Sequence, residues 1–163
     1  MPRSKRPMSS TPSGADARRG RRGARRLALQ ALYQWLQAGG ESEQLVAEFV
    51  AEHAAAGVDL EYFRVLVPEC IGEAAALDAL LAPALDRAPG EVDPIEHAIL
   101  LIGAAELRNR PELAAPIIIN EAVELAKAFG AEGGHRYVNG VLDKLAERLR
   151  ASERAGRRVP ARG

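Results

Sequence analysis

The sequence predicts an all-α fold, and three observations carry that expectation. Aromatic residues make up only 4% of the chain and Thr11 is its single threonine, so strand-favouring residue types are scarce, while alanine fills much of the 47% apolar content. Apolar residues recur at helical spacing between glycine and proline breaks. The one β-branched run, Ile117-Ile118-Ile119, is too short to outweigh the helical pattern around it. At 163 residues the chain is expected to form one domain plus tails, large enough to bury roughly two-thirds of its unfolded surface.

Residues 1–17, rich in Pro, Ser and charge, are expected to be a disordered basic tail, and residues 151–163 a flexible one. Between them lies a helical domain over 18–150. The first helix runs from about Arg18 to Ala38, with Ala24, Ala28, Ala31 and Trp35 on an apolar stripe and Gly39-Gly40 as its stop. A second spans Ser42 to about Ala55, with Leu45, Phe49 and His53 in line. A third starts at Asp59 as N-cap and continues towards Arg87, kinked or divided by Pro68 and Pro83. Pro89-Gly90 is a turn. Asp93-Pro94-Ile95-Glu96 reads as a cap, a first-turn proline and a capping-box acid, and Ile95, Ala98, Ile99, Ile102 and Ala105, with Glu106 beside them, trace the inner face that follows. Pro116 opens the next helix, with Ile118, Ala122, Leu125, Ala126 and Phe129 inward and Gly130 as its stop. The last helix covers about His135 to Arg150, with Val138, Val141, Leu142, Leu145 and Leu149 inward.

The formal net charge is zero, yet the charge is sorted by position. Residues 1–26 hold nine Lys/Arg and one acid, residues 144–163 hold seven and two, and the span between holds six basic and nineteen acidic residues. Basic clusters attract phosphate and an acidic body repels it, so a polyanion is expected along the ends and a basic partner along the middle.

Several chemistries lack support. His53, His97 and His135 are far apart, without Cys or carboxylate partners at metal-ligand spacing. Cys70 stands alone and reads as a buried structural thiol rather than a nucleophile. No Gly-rich phosphate loop follows a strand, and Gly133-Gly134 reads as a helix entry. The expectation is a non-enzyme without cofactor or metal. No apolar run approaches the 18 or so residues a membrane span needs, and the basic N-terminus lacks a signal-peptide core, so a cytoplasmic protein is the default.

The positive signal sits on the first helix. Arg22, Arg25, Arg26, Leu29 and Tyr33 fall on one stripe, apart from the apolar stripe through Ala28 and Trp35. Guanidinium forks bind phosphate and a tyrosine ring stacks an unpaired base, a mixture suited to single-stranded RNA. The competing readings are a merely solubilising arginine cluster and a Tyr33 at the rim of the core.

Longer strings carry a resemblance. Arg21-Arg22-x-Ala24-Arg25 followed by Gln30-Ala31-Leu32-Tyr33-x-Trp35, then Tyr62-Phe63-Arg64, the stretch from Ile118-Ile119-Asn120-Glu121 to Phe129-Gly130, and Tyr137-Val138-Asn139-Gly140-Val141-Leu142-Asp143-Lys144 resemble the NusB transcription antitermination factors over roughly Arg21 to Leu149. The resemblance implies a bundle of about seven helices in two small packed sub-bundles. It implies binding of boxA-type single-stranded RNA as a heterodimer with NusE, a ribosomal small-subunit protein, to help an RNA polymerase antitermination complex read through terminators in ribosomal RNA transcription.

Carried over by residue, the resemblance puts RNA binding on Arg21, Arg22, Arg25 and Tyr33, with Arg26 alongside on the same helix, and on Arg136 and Tyr137 of the last helix. Asn120 and Glu121 are expected to cap and brace helices, and Asn139-Gly140 to let the last helix pack closely. The partner-facing residues are Leu101, Ala105, Glu132 and Gly133. Ala105 stands where an aromatic is frequent in the family, Leu101 where a basic residue is, and Gly133 where an acid is common, so the NusE interface is expected to be weaker or differently built. Two other readings remain: a detached module like the N-terminal domain of RNA cytosine methyltransferases, without methyl transfer of its own, and an adaptor or homodimer acting through protein–protein contacts.

Overall fold

The computed structural model describes residues 13–53 and 57–151. Among these it forms seven α-helices: α1 (Gly14–Ala38), α2 (Ser42–His53), α3 (Leu60–Gly72), α4 (Ala74–Leu81), α5 (Pro94–Asn109), α6 (Ala115–Phe129) and α7 (Gly134–Leu149). Two single 3-10 turns, Ala82–Ala84 and Pro89–Glu91, connect α4 to α5. Helices α1–α3 pack as one sub-bundle and α4–α7 as another, and α5 joins them by lying against α1 and α3.

The central position of α5 follows from its sequence. Asp93 accepts from the amides of Ile95 (2.9 Å) and Glu96 (3.3 Å), and Pro94 occupies the first turn, so the start of the helix is fixed locally. Every residue from Glu96 to Leu107 is buried, so the helix is enclosed on all sides instead of presenting one apolar stripe. Gly103 lets α7 approach: a Cβ there would lie 2.7 Å from Leu142 Cδ1. Large side chains such as Phe63, Leu66, Leu77, Ile99 and Leu100 are almost wholly buried, each stabilising the fold by roughly 1.5–3 kcal/mol.

Where the two sub-bundles meet, the core is polar. Arg25 Nε of α1 donates to both carboxylate oxygens of Glu106 of α5 at 2.9 and 3.1 Å, and the Tyr62 hydroxyl of α3 donates to the same carboxylate. The Tyr62 ring lies beneath two guanidiniums, those of Arg25 (5.8 Å) and Arg110 (5.4 Å). Arg110 in turn forks onto Glu69 at 2.7 and 3.1 Å.

Several boundaries differ from the expectations. Helix α1 begins at Gly14 because Ser13 accepts from the Asp16 amide and Asp16 pairs with Arg19, placing an acid in the first turn ahead of the arginines that begin at Arg18; residues 14–17 are therefore helical. The rest of the two expected tails, 1–12 and 152–163, lies outside the described residues, as does the expected end of α2 at 54–55. The third helix divides at Gly72–Glu73, not at Pro68, which stays inside α3; Glu73 is held there by Arg108 and Asn109 at the end of α5. Pro83 sits in the 3-10 turn that follows α4. Glu96 does not close a capping box: it is buried, with its carboxylate against the Ala131 amide and over Gly134. Phe129, expected inward, is 40% exposed. Asn139 and Gly140 are both exposed, with nothing within 4 Å of where a Gly140 Cβ would stand, so they mediate no close packing.

Candidate nucleic-acid interface

Helix α1 carries the arginines, and its burial pattern assigns each of them. Ala24, Ala28 and Ala31 are fully buried, as expected for the apolar face, Leu32 is buried with them, and Trp35 is half-buried. Arg25 and Leu29, at 4% and 1% exposure, belong to the inward side as well. This corrects the stripe read from the sequence: Arg25 is a bracing residue, buried with its Nε on Glu106 and Nη1 towards Glu121, and Leu29 is core. The exposed row is instead Arg19, Arg22, Arg26, Gln30 and Tyr33. Arg21, expected with them, is half-buried and lies about 100° around the helix from Arg22, off this row. Spacings of three and four keep the row on one side of the helix.

Each exposed member is held differently. Arg22 Nε donates to Glu121 Oε1 (3.0 Å) and Nη2 to Oε2 (2.8 Å), a side-on fork to α6. Its side chain is still 55% exposed, so Nη1 and the outer hydrogen of Nη2 face away from that carboxylate. The Arg22 hydrogen bond holds the Glu121 carboxyl below its ordinary value of 4.5, so the pair is charged at neutral pH. Glu121 thus braces, as expected. Arg26 lies over the Phe129 ring at 5.4 Å. Tyr33 is 37% exposed. The connector before α3 packs tightly on the helix: a Gly23 Cβ would lie 3.2 Å from Val58, and the Asp59 amide donates to the Gly20 carbonyl at 3.0 Å. Glycines 20 and 23 therefore set the closeness of a contact the sequence reading had not identified.

Arg136 and Tyr137 form a second group, tied to the α4–α5 connection. Arg136 is exposed. The half-buried Tyr137 donates its hydroxyl to Asp86 (3.1 Å), and Arg87, forked onto Asp86 at 2.6 and 2.9 Å, lies 4.9 Å over the Tyr137 ring. The Arg87 hydrogen bond holds the Asp86 carboxyl down at about 2. Arg87 is an exposed cation beside Tyr137 that only the fold reveals.

The expected partner-facing residues separate into two pairs. Leu101 and Ala105 are both at 0% exposure, because α5 is enclosed all round, so neither forms an outer surface. Glu132 is exposed in the α6–α7 loop. Gly133 is the N-cap of α7 with φ +82°, a left-handed conformation that disfavours a side chain, which gives the missing acid a backbone reason.

Elsewhere, Cys70 is fully buried, its thiol 3.8 Å from the Leu101 carbonyl oxygen, and burial pushes its pKa well up. His97 finds a carboxylate across the fold, with Nε2 2.8 Å from Asp78 Oδ1, a pairing invisible in the one-dimensional spacing. Among the described residues no group of three or more His, Cys, Asp or Glu is placed to hold a metal, and no helix is long and apolar enough to cross a membrane.

Comparison with known proteins gives a consistent picture. The model of the NusB family matches residues 22–147. The transcription antitermination protein NusB of Alcanivorax borkumensis is 48% identical over 149 residues, covering 91% of this chain and 95% of that protein. Its counterpart from Nitrosococcus oceani is 52% identical over 133 residues, covering 80% and 87%. Among solved structures, a crystal structure of the antitermination factors NusB and NusE in complex with dsRNA aligns with a TM-score of 0.73 at 27% identity, covering 80% of this chain and 98% of that one.

Proposed function

The chain belongs to the NusB family, and we propose that it is a transcription antitermination factor acting in the cytoplasm. In this reading it binds boxA-type single-stranded RNA as a heterodimer with NusE, within an RNA polymerase complex reading through terminators in ribosomal RNA transcription. The naming of its relatives supports antitermination, and the NusB–NusE–dsRNA structure supports a NusE and RNA partnership.

The observation that carries the RNA reading is the exposed row Arg19, Arg22, Arg26 and Tyr33 on α1. A phosphate approaching Arg22 meets the outer donors that Glu121 does not use, from a guanidinium already fixed in plane. Tyr33 supplies a ring for a neighbouring base. Arg136 and Tyr137 are the second contact region. NusE, as a basic ribosomal protein, suits the acidic middle of the chain, with Glu132 the remaining exposed candidate contact.

Fluorescence-anisotropy titration of labelled boxA-type RNA, scrambled RNA and duplex RNA, with and without NusE, tests the proposal. Tightest binding to the boxA-type strand in the presence of NusE is the expected result. Equal affinity for the scrambled strand with NusE present overturns the specific claim, and a NusE complex that excludes RNA favours the adaptor reading.

A further inference from the structure

Phe129 ends α6 with 40% of its surface exposed, although Ala122, Leu125 and Ala126 of the same helix are buried. An exposed phenylalanine gains little from its own burial, yet its ring face is not idle: the Arg26 guanidinium lies 5.4 Å from the ring centroid. Beside the pair, α1 and α6 leave a cleft of about 170 Å³ lined by Arg22, Arg25 and Arg26 on one side and Glu121, Glu124 and Leu125 on the other. The Arg22 end of this cleft is fixed by the fork to Glu121, so the row has one guanidinium set by a carboxylate and the next set by a ring.

We infer that Arg26 is a stacking platform for one unpaired RNA base and that Phe129 is its positioning residue. The inference rests on the RNA-binding reading above and adds a base subsite to it. The chemistry follows from the cation–π contact and the planarity of guanidinium: the Phe129 ring holds one side of the exposed Arg26, and a nucleobase stacks on the part of the flat cation that the ring leaves open. The neighbouring Arg22 donors hold the phosphate of the same nucleotide. A base inside a duplex is stacked on its neighbours and cannot reach such a platform, so the subsite selects single strands. A lysine at 26 keeps the charge and removes the plane, which separates stacking from phosphate attraction.

The test uses the full chain with NusE and labelled single-stranded boxA-type RNA, with duplex RNA as the comparison. Arg26→Lys and Phe129→Leu are each expected to weaken single-strand binding roughly tenfold. Arg26→Lys leaves the slope of log K against log salt unchanged, Phe129→Trp restores binding, and duplex binding is unaffected by all three. Thermal melting of the variants shows that each is folded. Wild-type affinity in both Arg26→Lys and Phe129→Leu, or an equal loss on duplex RNA, overturns the inference. A wild-type protein that does not distinguish boxA-type from scrambled RNA overturns the parent reading instead, and loss of single-strand affinity in Arg26→Lys would then still support the platform.

Discussion

Arg25 and Glu106 are 81 residues apart in sequence and form a buried ion pair, with Nε 2.9 Å from Oε2 and exposures of 4% and 1%. The pair joins the two sub-bundles, with the Tyr62 hydroxyl closing on the same carboxylate. Breaking such a pair from one side leaves an uncompensated charge in the core. Arg25→Met is therefore expected to cost about 3–5 kcal/mol in urea unfolding, whereas Arg22→Met, at a half-exposed pair, stays within about 1 kcal/mol. Equal effects of the two would contradict the division into a bracing and a surface arginine.

Leu101 fills the core, so its truncation acts on stability. Leu101→Ala is expected to lose about 2–5 kcal/mol of unfolding free energy. NusE affinity of the folded fraction should stay at the wild-type value. A stable Leu101→Ala variant with a selective NusE defect would return this residue to the interface.

The two carboxyls with opposite shifts give opposite pH dependences. Burial, then the Asp93 charge, raises Glu96 above 4.5, so its contribution is fully present below that value and is lost as pH rises through the raised one. Arg22 lowers Glu121, so that contribution is present above 4.5 and is lost as pH falls through the lowered value. Urea midpoints between about pH 3 and about pH 8 should show Glu96→Gln flattening part of the decline that begins as pH rises past 4.5 and Glu121→Gln flattening part of the loss as pH falls below it. Variant profiles parallel to wild type would contradict both assignments.

Cys70 is buried with a raised pKa, so thiolate is scarce and inaccessible in the native state. Modification by a thiol-specific disulfide reagent is expected to occur at the rate of structural opening and to accelerate sharply across the urea transition. Rapid stoichiometric labelling without denaturant would show that the site opens.

The helices were legible because their signals are local: the Asp93-Pro94 start, the glycine stop at Gly39, and the apolar spacing of α7 all survive in the fold. The family strings pointed to the RNA and partner classes. What failed was assignment of faces. Arg25 shares a stripe with Arg22 and Arg26 by arithmetic, but a partner on α5 pulls it inward, and the one available signal was Glu106, an acid on an apolar face that needed a buried cation. Phe129 looked inward by spacing; Gly130 marked the end of α6, but nothing local shows that the last turn has already left the core. Leu101 and Ala105 were placed towards the partner by the family resemblance, although the periodicity already put Ala105 on the inner face; that Leu101 is enclosed as well is a property of the assembly of helices around α5, not of its own period.

The most direct measurement is the salt dependence of boxA-type RNA binding, with NusE present, for Arg22→Ala against wild type. The expected result is a loss of roughly 1–3 kcal/mol in affinity and a decrease of about one in the slope of log K against log salt. An unchanged affinity and slope would remove the exposed row of α1 from the RNA surface and contradict the central claim.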